Sequence, residues 1–246
     1  MIKPNFHLKS AVPFLGFKRV DKIRHAGAIA EDYFAESFGK ANVQYMNIPR
    51  GMAAPNAPLF ILANSNMQLV VSQVHAQISL EFSPSQVSEN TAWGVIRKYS
   101  ELLFGFAQKD LPPDTLQTAA TVFTFNCPTN EPDEVMADYL FQQLLKVPVT
   151  RPIVNCQVVL GYQTESELFV NSTWNAYQIK EIEIQGQVSD AIDVAEHQGR
   201  ITERGLALTL DVNNKPRVRA GQKFDATIFD EIQAAAKAAY SNKYLS

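Results

Sequence analysis

The chain has 246 residues, 46% of them apolar and 19% charged, with 22 Lys and Arg against 25 Asp and Glu. That balance, −3 overall, belongs to an ordinary globular protein and excludes a disordered tail, a collagen, a disulfide-stapled miniprotein and a strongly basic nucleic-acid binder. The longest apolar runs, Val12 to Phe17 and Pro58 to Ala63, are strand-sized and fall far short of the ~18 residues a membrane helix needs.

Residues 11–19 read as an apolar strand, with Pro13 suggesting a sheet edge. Over 21–38, Ile23, Ala26, Ala30, Tyr33, Phe34 and Phe38 recur at helical spacing, and Gly39 supplies a stop. Residues 40–58 read as loop, 59–63 as a short strand, and Asn64-Ser65-Asn66 as a turn. The clearest pattern is 68–82. Val70, Val74, Ala76, Ile78, Leu80 and Phe82 share one parity, and Gln73, His75, Gln77, Ser79 and Glu81 the other. That is a strand with one buried and one polar face. Ser83-Pro84-Ser85-Gln86 reads as the N-cap, first position and capping box of a helix running to Phe106. Residues 119–127 return to strand, with Phe123, Phe125 and Cys127 on one face. Strand, helix, strand, strand, helix, strand is the order of a ferredoxin-like half, expected over 1–128.

In the second half, 129–246, Asn130 is placed to cap a helix whose first turn carries Glu131 and Asp133. An antiparallel meander follows over 153–162, 167–175, 177–185, 188–196 and 204–213, with Leu206, Leu208, Leu210 and Val212 on one face of the last strand. An amphipathic helix over about 225–243 closes the chain and is expected to cover the sheet. No internal repeat or linker is visible, so the halves are expected to share one α+β body.

Three stretches resemble a family of uncharacterised bacterial and phage proteins of similar length. They are FKRVDKIRHAGAIAEDYFAESF near the start, the PLFILANSNMQLVVSQVHAQISLEF hairpin before a long helix, and RGLALTLDVNN before the last helix. The family has no established activity. The resemblance implies a prokaryotic cytoplasmic or phage origin and assigns no functional residue.

Chemistry is thinly signalled. Cys127 and Cys156 form no CxxC, and Met1 to His7 has no apolar signal region, so a reducing cytoplasm is expected. There is no P-loop, GxGxxG, GxSxG or His-rich metal motif, and no cofactor or metal is expected. His75 and the Asp190, Asp193, Glu196, His197 cluster are candidates for a hydrolase or nuclease site. Lys215, Arg217, Arg219 and Lys223 make a local basic patch, too small beside the net charge to favour nucleic acid. An apolar pocket under the last helix would suit a small ligand. The leading expectation is a non-enzymatic protein-binding or assembly protein that associates with itself or with a protein or peptide partner. Its candidate surface is the amide-rich polar parity of three strands, formed by Gln73, His75, Gln77, Asn155, Gln157, Asn171, Thr173 and Asn175. A face meant only for water usually carries Lys and Glu instead.

Overall fold

The computed structural model describes residues 5–20, 54–112, 114–146, 156–181 and 200–241, together with 23, 30, 32–34, 37–38 and 42–46. The described strands are β1 (His7–Phe17), β2 (Asn42–Tyr45), β3 (Phe60–Ala63), β4 (Met67–Val71), β5 (His75–Glu81), β6 (Leu116–Pro128), β7 (Gln157–Gln163), β8 (Phe169–Glu181) and β9 (Arg200–Asn213). They form one sheet in the order β2-β3-β4-β5-β1-β6-β9-β8-β7, every pair antiparallel. The described helices are α1 (Glu89–Asp110), α2 (Asp133–Leu145), the short α3 (Lys215–Arg219) and α4 (Ile228–Ser241). The expected α+β class and the closing C-terminal helix are both present.

Strand alternation sends one parity into the core. Ala11 and Leu15 of β1, Ile78 and Leu80 of β5, Phe123 and Phe125 of β6, and Leu208 and Leu210 of β9 are all buried. The helices pack on that face: α1 on β1 and β5, α4 on β6 and β9, α2 on β7 and β8. Trp93 of α1 meets Phe123 at 5.3 Å between ring centroids, and Tyr240 of α4 stacks on Phe125 at 4.4 Å. Gln233 of α4, itself buried, donates to the Trp93 carbonyl at 2.9 Å and joins the two helices. Ala30, Phe34 and Phe38 are helical and buried, as their spacing predicts, and Phe34 packs on Phe106 of α1.

The ferredoxin-like order of the first half is not the one found. That fold sets two parallel strands side by side, whereas β1 is flanked by antiparallel β5 and β6. The reason lies in 68–82, which is not one strand but the β4–β5 hairpin. Ser72 is buried, and its Oγ accepts from the backbone N–H of Val74 at 3.2 Å and of His75 at 3.0 Å. This hydroxyl-anchored turn reverses the chain without Gly, Asn or Pro. One extra reversal changes the direction in which the chain returns to β1. It also moves Val70 to the opposite face, where it pairs with Gln77.

Pro13, read as an edge marker, lies in the central strand. β1 pairs with β5 at Ala11 and again at Phe14, skipping Val12 and Pro13 with the register unchanged. The missing proline N–H therefore costs a rung on the β5 side, while Pro13 stays in register with Thr121 of β6. Helix starts also shift. Ser88, not Ser83, caps α1 by accepting from Thr91 N at 3.3 Å, and Pro132 rather than Asn130 precedes α2. β8 runs unbroken through Ala176, where 167–175 and 177–185 were expected as separate strands.

Strand order from β3 to β7 reads β3-β4-β5-β1-β6-β9-β8-β7, which is a palindrome about the β1–β6 pair. With the edge strand β2 and the short α3 set aside, each side runs through a central strand, a helical segment, three strands and a helix, with α1 over β1 and β5 matched by α4 over β6 and β9. The topology thus repeats, although the sequence shows no repeat.

Candidate binding surface

The described helices leave one face of the sheet uncovered. Parity places Gln77, Gln157, Asn171, Thr173 and Asn175 on it, with His75 at the start of β5. These residues therefore lie on one surface, as the amide pattern predicts. They are not one cluster. β1, β6, β9 and β8 separate Gln77 from Gln157, a lateral distance of ~24 Å at ~4.8 Å per strand. Gln73 is not on the face: it lies in the β4–β5 turn, where its N–H bonds the Pro55 carbonyl at 3.1 Å and its buried Oε1 has no partner. Asn155 and the Asp190–His197 cluster lie outside the described residues.

Residues that sequence reasoning missed fill the space between. One rung runs Ser10–Thr124–Thr209–Thr173–Val159, and another Asn126–Ala207–Asn175–Gln157. A third joins Val122, Asp211, Asn171 and Gly161. The signal was available, because Thr124 and Asn126 alternate with Phe123 and Phe125, and Thr209 and Asp211 with Leu208 and Leu210. From Ser10 to Gly16 on β1, Thr118 to Asn126 on β6, Gly205 to Asn213 on β9, Phe169 to Tyr177 on β8, and along β3, β4, β5 and β7, this parity carries two carboxylates, Glu81 and Asp211. It carries no Lys or Arg. Asn213 donates to Asp211 at 3.2 Å and accepts from Lys215 N at 3.2 Å, which fixes the amide beside the acid. At the far end Tyr177 Oη donates to Glu203 Oε1 at 2.6 Å. Burial and that carboxylate push the phenol well above its ordinary value.

His75 is built into the sheet. Its Nδ1 lies 2.8 Å from Ser72 Oγ, and its ring stacks on Phe14 at 5.4 Å. Burial lowers its pKa from 6.5, so the imidazole is neutral at pH 7. The linkage follows directly. The unfolded chain binds the proton more readily, so stability is complete above the unfolded value of 6.5 and falls as pH drops below it. Urea unfolding between about pH 7 and pH 5 is expected to show a smaller loss for His75→Asn than for the parent. Equal losses would mean that His75 is not the group responsible.

Both cysteines are free and buried, and burial raises both thiols, which disfavours the thiolate. Among the described residues no group of three or more His, Cys, Asp or Glu could hold a metal ion. The underside of α4 is occupied by its own side chains, Tyr240 lying on Phe125 and donating to the Phe6 carbonyl at 2.8 Å. A polar depression of about 550 Å³ lies instead at the ends of β6 and β9, lined by Thr129, Thr202, Glu203 and Arg204 among others.

No protein-family model, curated protein or solved structure matches this chain.

Proposed function

We propose that the chain is a non-catalytic protein-binding or assembly protein whose open sheet face is covered by an uncharged protein surface. The observation that carries this is the composition of that face from Ser10 to Gly16, Thr118 to Asn126, Gly205 to Asn213 and Phe169 to Tyr177 and along β3, β4, β5 and β7: amides, hydroxyls and apolar groups, two carboxylates and no cation, with charge returning only at the far end, where Ile179 pairs with Glu203 and Glu181 with Arg200. Neutral donors and acceptors lose less solvation than ions when covered, and a face kept only in water gains nothing by avoiding Lys and Glu. Size agrees. Seven strand spacings of ~4.8 Å by ~20 Å of strand give roughly 700 Å², close to the ~800 Å² per partner of a standard interface. A phosphate backbone would find no cation on those stretches, and Arg200 at the far end faces Glu181. Two members of the basic patch are already engaged: Arg217 pairs with Glu231, and Lys223 with Asp114 at 2.7 Å.

The test places charge on the face without facing like charges across a rung. Thr124 and Thr173 are both half-buried and lie on β6 and β8, with β9 between them. In host extract, Phe169 and Tyr177 of the parent are expected to be protected from hydroxyl-radical oxidation relative to the purified chain. The Thr124→Glu, Thr173→Glu double variant is expected to stay folded and lose that protection. Equal oxidation of the parent in extract and in buffer would overturn the reading.

A further inference from the structure

The two edges of the sheet are guarded very differently. β2 ends one side with four residues, and a short edge is itself a defence against pairing. β7 ends the other with seven residues, QVVLGYQ, whose sequence carries none of the usual protections. It contains no Lys, no other charge and no Pro, and its pairing with β8 has no register shift. Val159 is 55% exposed and Leu160 is 40% exposed, on opposite faces of the strand. Among the described strands only β8 pairs with it, so one row of β7 backbone donors and acceptors faces outward.

We infer that β7 pairs antiparallel with β7 of a second copy of this chain, about a two-fold axis through Leu160, making the two sheets continuous. The strand is close to self-complementary in that register. Gln157 falls opposite Gln163, so two amides meet. Val158 falls opposite Tyr162, a β-branched residue against an aromatic, which is a favoured cross-strand pair. Val159 falls opposite Gly161, where the Phe169 ring already lies over the empty side-chain position. Leu160 meets Leu160. With no charge in the segment, no like charges are brought face to face. The parity also holds: each pair sums to an even number, so core-side residues meet core-side residues and the open faces of both copies lie on one side. An edge built for a foreign strand needs no such self-match, and this separates a second copy from a peptide as the occupant.

Sedimentation velocity of the full chain over a micromolar to near-millimolar series tests the inference. The parent is expected to shift from monomer to dimer as concentration rises. Leu160→Lys and Leu160→Glu, both at an exposed site, are each expected to stay monomeric, because two like charges would face each other at the axis. An equimolar mixture of the two is expected to regain the dimer. The Thr124→Glu, Thr173→Glu variant, which tests the open face, is expected to dimerise like the parent, so the two proposals can fail separately. A parent that stays monomeric overturns the inference, even if it captures a synthetic QVVLGYQ peptide. So does a Leu160→Lys chain that still dimerises, or a mixture that does not.

Discussion

Phe123→Ala is expected to lower the free energy of unfolding by about 3–5 kcal/mol, and Leu208→Ala by about 2–5 kcal/mol, measured in urea at neutral pH. Phe123 is fully buried at the centre of β6, and Leu208 is buried on the adjacent strand β9. The size of the first effect depends on whether the site can collapse. It is held open from the helix side. Trp93, the nearest ring, is fixed by its indole N–H donating to Glu89 at 3.2 Å and by Lys237 over its face at 5.0 Å. A cavity at Phe123 therefore persists, which places the cost in the upper part of the range. Since domains are stable by only about 5–15 kcal/mol, either substitution removes a large share. Unchanged denaturation curves for both would show that the assigned core faces are wrong.

Gly205→Ala and Gly94→Ala are expected to act in opposite directions. Gly205 lies in β9 where it pairs with Pro128, and a Cβ there would collide with the Cys127 carbonyl and the Pro128 Cα. These are backbone atoms of a neighbouring strand, not the yielding end of a side chain. Relief requires the β6–β9 spacing to open, at a cost of about 1–3 kcal/mol or more. Gly94 is exposed in the interior of α1 and has nothing within 4 Å of where its Cβ would stand. Alanine there is expected to stabilise by about 0.5–1 kcal/mol, through helix propensity and a less flexible unfolded chain. Thermal melts of the pair test both signs at once, and a shift of the same sign in both variants would refute the argument.

Legibility in the sequence followed the range of each interaction. Alternation within a strand depends on neighbours two residues apart, so the buried parities of 76–80, 119–127 and 204–213 were readable, and with them the amide face of β5, β7 and β8. The long helix was readable as a helix, but its start was not, because Ser83 and Ser88 offer the same capping chemistry and only packing selects between them. The β4–β5 turn was hidden because its signal is one buried hydroxyl, with no Gly-containing turn dipeptide to mark it. Strand order was beyond reach, since nothing local in Pro13 says that its missing N–H falls on one side of a central strand. For the same reason the outward parity of Thr124, Thr209 and Asp211 was readable, but not that they join the amides of three strands, which depends on β6 and β9 lying between.

The palindromic order about β1 and β6 has a consequence for how the chain is made. Of the described strands, the earliest in the chain is the middle one of the sheet. β5 can meet one side of β1 as soon as it emerges, but the other side waits for β6, more than a hundred residues later in the chain. β6 in turn waits for β9. Sequence-distant pairings of this kind fold slowly, because loop closure precedes any gain from contact. Until β6 arrives, the half-built sheet presents an apolar, unpaired interior strand to its surroundings. The ribosome-bound intermediate thus has its greatest exposure where the finished protein is most protected.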